Sequence, residues 1–250
     1  MRRSRALSGH RDHRAGPVLS QCRRGGADPA CPGIGFALVS APLLVLVAGP
    51  YQGVVLANLL SLLVSLGVFA STWRQTEWRR GVLLAMPALA AIPLGAFVAK
   101  RVPAPMLMVI IGTLVLLALA AVRLSTRARV LRGPQGALAA GAASGFMNVT
   151  AGVGGPAIVL YAVSTDWDHR RFLATFQFYS IIINLASLLA KGPPQISRPA
   201  LLASLGALGV GLCAGELLSR RVNAEQAKRA ILVLALAGAL STVLKGVVTW

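Results

Sequence analysis

The chain has 250 residues, of which 56% are hydrophobic and only 13% are charged, with a mean hydropathy of +0.70. A soluble domain carries about 25% charged residues. Several uncharged apolar runs, including 105–122 and 231–244, approach the ~20 residues that an α-helix needs to cross a bilayer. The composition excludes an ordinary soluble protein and predicts an all-α polytopic membrane protein with about 7–8 transmembrane segments.

The formal net charge of +18 would suit a nucleic-acid-binding protein. The arginines and lysines, however, lie in the N-terminal tail and in short loops between apolar runs, where membrane proteins carry them. The sequence has no phosphate-binding loop, no paired cysteine spacing and no cluster of catalytic residues. We therefore expect no nucleic-acid partner, no cofactor, no metal site and no enzymatic activity.

Residues 1–32 differ from the rest of the chain because they are basic, rich in glycine and proline, and lack an apolar segment. Without such a segment they are not a signal peptide. We expect a disordered tail that makes no contacts with the helices. Two explanations compete: the natural product starts elsewhere and the tail is an artefact of the reading frame, or the first half of the chain has lost a half-helix. The repeat described below favours the artefact.

Two membrane units joined by an arginine-rich linker follow the tail. Their predicted boundaries are 33–124 for the first unit, 125–135 for the linker and 136–250 for the second unit. Positive charge is retained on the cytoplasmic side of a membrane, so the loops within 74–80 and 123–132 are predicted to face the cytoplasm.

The two units repeat one pattern at an offset of 120 residues. The segments GAFVAKRVPA and GELLSRRVNA share a small residue, an apolar turn and two cations. The matched pairs are Gly95 with Gly215, Arg101 with Arg221, Val102 with Val222, Ala104 with Ala224, Gly35 with Gly155, Val39 with Val159 and Ala70 with Ala190. Four spans per unit would make the halves parallel, whereas a re-entrant hairpin would invert them, and the sequence leaves both arrangements open.

The stretch GAASGFMNVTAGVGGPAIVLY, residues 141–161, is apolar but is predicted to break as a helix. Glycine costs roughly 1 kcal/mol in a helix interior and proline about 3 kcal/mol. Gly152, Gly154 and Gly155 precede Pro156, which suits the first turn of a new helix. A helix N-terminus there would direct unpaired N–H groups at an anion. The repeat makes 33–42 the counterpart of 152–156, so we expect both segments to be interrupted. Broken helices at corresponding positions of two repeats are typical of transporter substrate sites.

Other polar or small residues complete the set of candidates. Asn148 and Thr150 lie just before the break, while Asn58, Gln177 and Asn184 are amides that serve equally well as contacts between helices. Gly141 and Gly145 form a GxxxG pair, and the alternative to a role in the transport site is close packing of two helices through these glycines. Glu216 lies in an apolar run, four residues before Arg220. An ion pair between these two residues near the membrane edge is preferred to a functional role for Glu216. The candidate substrate-binding residues are Asn148, Thr150, Gly152, Gly154, Gly155, Pro156, Gly33, Gly35, Asn58, Gln177 and Asn184.

These motifs make the chain similar to the TauE/SafE family of sulfite-exporter-like permeases, over roughly residues 33–248. The second copy of its Gly-rich motif is Gly152-Val153-Gly154-Gly155-Pro156, and the first is reduced to Gly33-Ile34-Gly35 with Pro42 further on. The chain departs from the family pattern where 136–152 shifts back onto the polar residues 16–32. The resemblance implies transport of a small sulfur-containing or organic anion, such as sulfite or sulfoacetate.

The sequence thus predicts a multi-pass permease of the cytoplasmic membrane that moves a small anion, driven by an ion gradient of H⁺ or Na⁺. The bilayer and the anion are its predicted partners. The alternatives are a membrane-embedded enzyme, which would need clustered acids, histidines or arginines in the spans, and a non-transporting assembly subunit.

Overall fold

The computed structural model describes residues 34–124, 131–219 and 224–249, and this part of the chain folds into α-helices with one 3₁₀ turn at Trp73–Gln75. The helices are α1 Ile34–Ala48, α2 Pro50–Thr72, α3 Trp78–Arg101, α4 Ala104–Leu124, α5 Gly133–Ala151, α6 Gly155–Ser164, α7 His169–Lys191, α8 Arg198–Ser219 and α9 Ala224–Val248. The predicted tail, Gly33 and most of the predicted linker lie outside the described residues.

Four helical segments within the described ranges are long and apolar enough to cross a membrane, by length and composition. They are Pro50–Gln75, Trp78–Arg101, His169–Lys191 and Arg229–Val248, and shorter apolar helices lie at Ala37–Ala48, Ala104–Ala120 and Gly155–Ser164. Large apolar side chains such as Leu94 and Leu189 are exposed, as expected where lipid is the solvent. The prediction of a polytopic helical membrane protein is confirmed.

Local chemistry explains where several helices begin. Proline lies in the first turn of α2, α5 and α6, where its missing N–H leaves no hydrogen bond unmade. The side chain of Asp168 caps α7 by accepting a hydrogen bond from the backbone N–H of Arg171 at 3.1 Å. By contrast, α1 runs without a break through Pro42, so the expected interruption of 33–42 is wrong for its described part.

Helices α5 and α6 form a re-entrant hairpin. Arg132, which precedes α5, donates a hydrogen bond from Nε to the carbonyl oxygen of Ser164 at 3.1 Å and lies 3.8 Å from the carboxylate of Asp166. The start of α5 and the end of α6 therefore lie on the same side of the bundle. The ten residues of α6 rise about 15 Å, half of the ~30 Å hydrocarbon core, which puts the start of α6 near mid-membrane depth, whereas the nineteen residues of α5 rise about 28 Å.

Contacts between helix ends define two sides of the bundle. The backbone N–H of Glu77 donates to the Thr175 hydroxyl at 2.9 Å, which brings the starts of α3 and α7 together. The ends of the same two helices meet where Lys100 Nζ donates to the carbonyl oxygen of Ala190 at 2.8 Å. We call the first the arginine side, with Arg79, Arg80, Arg132, Arg170 and Arg171, and the second the lysine side, with Lys100, Lys191 and Lys245.

The two halves run in opposite directions through the bundle. Helix α2 starts on the lysine side, where Tyr51 donates to the carbonyl oxygen of Lys191 at 2.8 Å, while α7 starts on the arginine side. The helix starts pair as Ile34 with Gly155, Pro50 with His169, Trp78 with Arg198 and Ala104 with Ala224, all 119–121 residues apart. This spacing supports the repeat, and the hairpin corresponds to the inverted alternative that the sequence left open.

The helix pair α3–α5 is packed through glycines at close range. A Cβ on Gly141 would contact the carbonyl oxygen of Leu84 and the ring of Pro87, and one on Gly145 would contact the backbone of Ala88. Small residues allow this approach of two backbones in a membrane. The GxxxG pair therefore has the packing role that was its alternative interpretation.

Candidate functional site

A small cavity of about 20 Å³ lies at the tip of the α5–α6 hairpin, between α2 and α7. It is lined by Ala37, Ser61, Ser65, Asn148, Gly154, Gly155, Phe176, Ser180, Ile183 and Asn184. The lining combines hydroxyl, amide and backbone groups and contains no charged residue. A space of this size holds about one water molecule. The bundle thus leaves little free space around a polar point near the start of α6.

The predicted helix break forms the inner wall of the cavity. Helix α5 ends at Gly152, whose φ of 72° lies in the left-handed region that favours glycine, and α6 restarts at Gly155 with Pro156 in its first turn. The hydroxyl of Ser144 donates to the carbonyl oxygen of Gly154 at 2.6 Å and ties the tip back to α5. The break between Gly152 and Pro156 is confirmed, and so is the place of Pro156.

The N-terminus of α6 faces this cavity. The first N–H groups of a helix have no partner within the helix, and they carry the positive end of its dipole. Gly154 and Gly155, which carry such N–H groups, both line the cavity. A Cβ on Gly154 would lie 2.9 Å from the carbonyl oxygen of Ser144, so this position excludes any larger residue. The arrangement supplies donors and a positive field without a charged side chain.

Asn148 connects the hairpin to α7 by two hydrogen bonds. Its Nδ2 lies 3.1 Å from Oδ1 of Asn184 and 3.2 Å from the hydroxyl of Ser187. Asn148 and Asn184 are 4% and 3% exposed, so these bonds are made away from solvent. The two amides fix α5 and α7 next to the break, which gives them a structural role as well as a place in the cavity wall.

Helix α2 contributes the hydroxyl of Ser61 to the cavity, and this hydroxyl has no hydrogen-bond partner within the described residues. Ser61 is 7% exposed, and its Oγ finds no partner within the described residues. Asn58 lies one turn earlier and is 1% exposed, and neither its Nδ2 nor its Oδ1 atom makes a hydrogen bond within the described residues. A buried polar group without a partner costs about 1–3 kcal/mol. These groups are therefore prepared for a ligand or for water.

Matching polar stripes on α2 and α7 face each other across the cavity. Each stripe places three polar residues at positions i, i+3 and i+7, which lie on one face of a helix. The stripes are Asn58, Ser61 and Ser65 on α2 and Gln177, Ser180 and Asn184 on α7, each pair 119 residues apart. Because α2 and α7 run in opposite directions, the two stripes give the cavity an approximate two-fold symmetry, which further supports the inverted repeat.

The structure brings four of the predicted site residues into the cavity wall: Asn148, Gly154, Gly155 and Asn184. The other described candidates lie near it in supporting positions. Gly152 caps α5, Pro156 starts α6, and Gly35 lies in the first turn of α1. The hydroxyl of Thr150 donates at 2.6 Å to the carbonyl oxygen of Phe146, so its proton is used within its own helix.

Two predicted amides, Asn58 and Gln177, are buried beside the cavity but are not part of its lining. Gly33 lies outside the described residues, as do the side chains of Glu216 and Arg220. Their predicted roles therefore stay predictions.

Sequence reasoning missed Ser61, Ser65 and Ser180 as site residues. The serines were visible in the apolar runs, but the match between the halves was read at an offset of 120 throughout. At 119, the offset of the α2 and α7 starts, Ser61 pairs with Ser180 and Ser65 with Asn184. A search that allowed a one-residue shift between helices would have found the repeated polar face.

The chain matches the family model described as sulfite exporter TauE/SafE over residues 29–242. This match covers most of the chain and extends across both halves, so the chain belongs to the TauE/SafE family. Neither the comparison with curated proteins nor that with solved structures found a match. Members of this family are membrane transporters, and the protein is accordingly a membrane-embedded transporter rather than an enzyme.

Proposed function

We propose that the protein is a secondary transporter for a small oxyanion, such as sulfite or an organic sulfonate, and that the cavity at the hairpin tip is its substrate site. One observation carries the proposal: the N-terminus of α6 and the unpartnered hydroxyl of Ser61 meet in a polar cavity at about mid-membrane depth. Half-helix N-termini at this depth bind anionic groups in other transporters. The family description names sulfite, which has the matching chemistry.

An oxyanion spreads its charge over several oxygens, each of which accepts hydrogen bonds. The N–H groups at the start of α6 supply two donors and the positive end of a dipole. The hydroxyls of Ser61 and Ser180, which line the same cavity, can each donate a further hydrogen bond. Neutral donors bind such an anion without holding it permanently, which a carrier requires because the substrate must leave again.

The closed cavity has room for about one water molecule, so an oxyanion enters only after the bundle opens. In inverted-repeat transporters, one repeat rocks against the other around a fixed central site. The opposite directions of α2 and α7, which flank the cavity, fit this scheme. The proposal includes coupling to H⁺ or Na⁺ and a place in the cytoplasmic membrane with the arginine side in the cytoplasm.

A flux assay on the purified full chain in liposomes tests this function. Vesicles are loaded with sulfite, thiosulfate, a sulfonate or a small carboxylate, and efflux is followed with and without a gradient of H⁺ or Na⁺. We expect saturable flux of at least one sulfur oxyanion or sulfonate, with mutual competition among the transported anions. Flux equal to that of empty vesicles for every anion, with correctly inserted protein, would reject the transporter proposal in favour of the assembly-subunit alternative.

A further inference from the structure

Lys191, at the end of α7, is a buried cation that the proposed site does not use. Its side chain is 8% exposed, and it is the one charged residue that is buried among the described residues. Nζ donates to the carbonyl oxygen of Val149 at 2.9 Å and lies 4.8 Å from the centre of the Tyr51 ring. No carboxylate pairs with it among the described residues, whose ion pairs all lie on the arginine side.

The position of Lys191 continues the polar face of α7 from the cavity to the lysine side. Ser180 and Asn184 line the cavity, Ser187 contacts Asn148 next to it, and Lys191 follows one turn later. The spacing i, i+4, i+7 and i+11 places all four side chains on one face of the helix. The partner of its ammonium group, Val149, directly follows Asn148 in α5, so the buried charge lies close to the cavity.

A buried ammonium group is costly unless its charge is compensated. Here the compensation is partial: one carbonyl in the last turn of α5, with the negative end of that helix dipole, and the face of an aromatic ring. Ionisable groups within membrane spans are rare and are functional candidates by default. The group that would complete the environment of Lys191 is an anion.

We propose that Lys191 is the fixed positive charge of the transport route, pairing with the substrate anion as it passes between the cavity and the lysine side. The inference rests on the proposed function, because it names a further residue of the same pathway. In the closed state the ammonium group is held by Val149 and Tyr51. When the anion arrives, its oxygen replaces the Val149 carbonyl as the acceptor, and the charge pair lowers the cost of the anion in the low-dielectric interior.

Three variants in the liposome assay test the role of Lys191. Lys191→Gln keeps a hydrogen-bond donor but removes the charge, and we expect the KM for the transported anion to rise about tenfold or more. Lys191→Arg keeps the charge and should stay within about threefold of the wild type. Lys100→Gln is the matched control, because Lys100 makes the same kind of bond to Ala190 on the lysine side but is exposed; its KM should not change.

The melting temperature in detergent distinguishes a purely structural role of Lys191 from a role in binding the anion. If Lys191 only ties α5 to α7, Lys191→Gln lowers the melting temperature without anion but keeps the upward shift on adding sulfite. If it pairs with the anion, that shift is lost. A wild-type KM in Lys191→Gln, or an intact sulfite-induced shift, overturns the inference, whereas a wild-type protein that transports no anion overturns the proposed function itself.

Chemical rescue keeps the test decisive if Lys191→Gln does not accumulate in the membrane. In a background with Cys22, Cys31 and Cys213 replaced by serine, Lys191→Cys is treated with aminoethyl methanethiosulfonate, which restores an ammonium group at about the length of lysine. Methyl methanethiosulfonate is the neutral control. We expect flux to recover with the charged reagent alone. Equal recovery with both reagents, or recovery with neither, contradicts a role for the charge.

Discussion

Helices α3 and α8 occupy corresponding places in the two halves but differ in what covers them. Helix α3 buries Leu84 and Ala88 against the glycines of α5, with almost no space between the backbones. Helix α8 instead exposes Leu202 and Val210, and a Cβ on its glycine at 209 would meet nothing within 4 Å. Both helices are apolar and rich in small residues, so composition alone does not explain the difference.

The comparison shows that a small residue is required for packing only where a second backbone approaches it. At the 120-residue offset, the counterpart of α5 falls on residues 13–31, which lie outside the described part of the chain. Helix α3 therefore packs against its hairpin partner α5, whereas α8 has no such partner among the described residues. In a bilayer an apolar face without a protein partner is solvated by lipid, so α8 meets no hydrophobic penalty there.

The largest expected effect comes from filling the α3–α5 contact. Gly145→Leu would drive its side chain into the backbone of Ala88, which cannot move aside as a flexible side chain would. We expect a loss of about 3 kcal/mol or more in the free energy of unfolding, the upper range for overpacking. The matched control is Gly209→Leu in α8, which should unfold like the wild type in detergent titrations. Equal destabilisation by both substitutions would show that α8 is as tightly packed as α3.

A second substitution separates the site from the packing. Gly155→Leu at the hairpin tip is expected to abolish anion flux while the protein still inserts, because the side chain would fill the cavity and cover the N–H groups at the start of α6. Gly206→Leu in α8, where a Cβ has open space, should transport normally. Normal flux in Gly155→Leu would place the substrate site elsewhere.

A smaller effect is expected at the unpartnered hydroxyl on α2. Ser61→Ala removes one donor to the anion and should raise KM about three- to tenfold, the value of one hydrogen bond, without lowering stability. Ser71→Ala on the same helix is the control, since that exposed hydroxyl bonds to the carbonyl oxygen of Val68. If Ser61→Ala lowers the melting temperature and leaves KM unchanged, Ser61 is part of the packing and not of the site.

The substitutions with the smallest expected effect are single cysteines, whose labelling tests whether the two halves run in opposite directions. Single cysteines replacing Arg127 and Arg221 should both be labelled from the arginine side, because the helix ends that flank each of them lie there. A cysteine at Gln195, whose backbone N–H donates to Gln52, should be labelled from the lysine side. Flux should be unchanged in all three. Labelling of positions 127 and 221 from different sides would restore the eight-span count with parallel halves.

The orientation in the cell follows from the same experiment. The lysine side also carries arginines, at the helix ends Arg101 and Arg198. An eight-span count would place Arg220, Arg221, Lys228 and Arg229 opposite Arg123, Arg127 and Arg129 and weaken the charge bias. With the hairpin we expect both groups on the arginine side, so that this side is expected to face the cytoplasm.

The sequence by itself determined the features that depend on local chemistry. The membrane class follows from apolar runs and the break at Gly152–Pro156 from the helix cost of glycine and proline, while the match between the halves stays a prediction from the spacing of similar residues. The family resemblance, carried by the same glycines and prolines, is confirmed by the family model. Each of these depends on residues close together in the chain or on a simple offset.

Only the tertiary structure decided which faces of the helices meet. Ser61, Ser65 and Ser180 are unremarkable serines until α2 and α7 turn their polar faces toward the same hairpin tip. The direction of each half depended on whether the segment after the break crosses the membrane or returns, and the sequence left both arrangements open. The rotation of a helix is set by packing between distant segments, which is why α3 is covered by α5 while the described side chains of α8 include the exposed Leu202 and Val210.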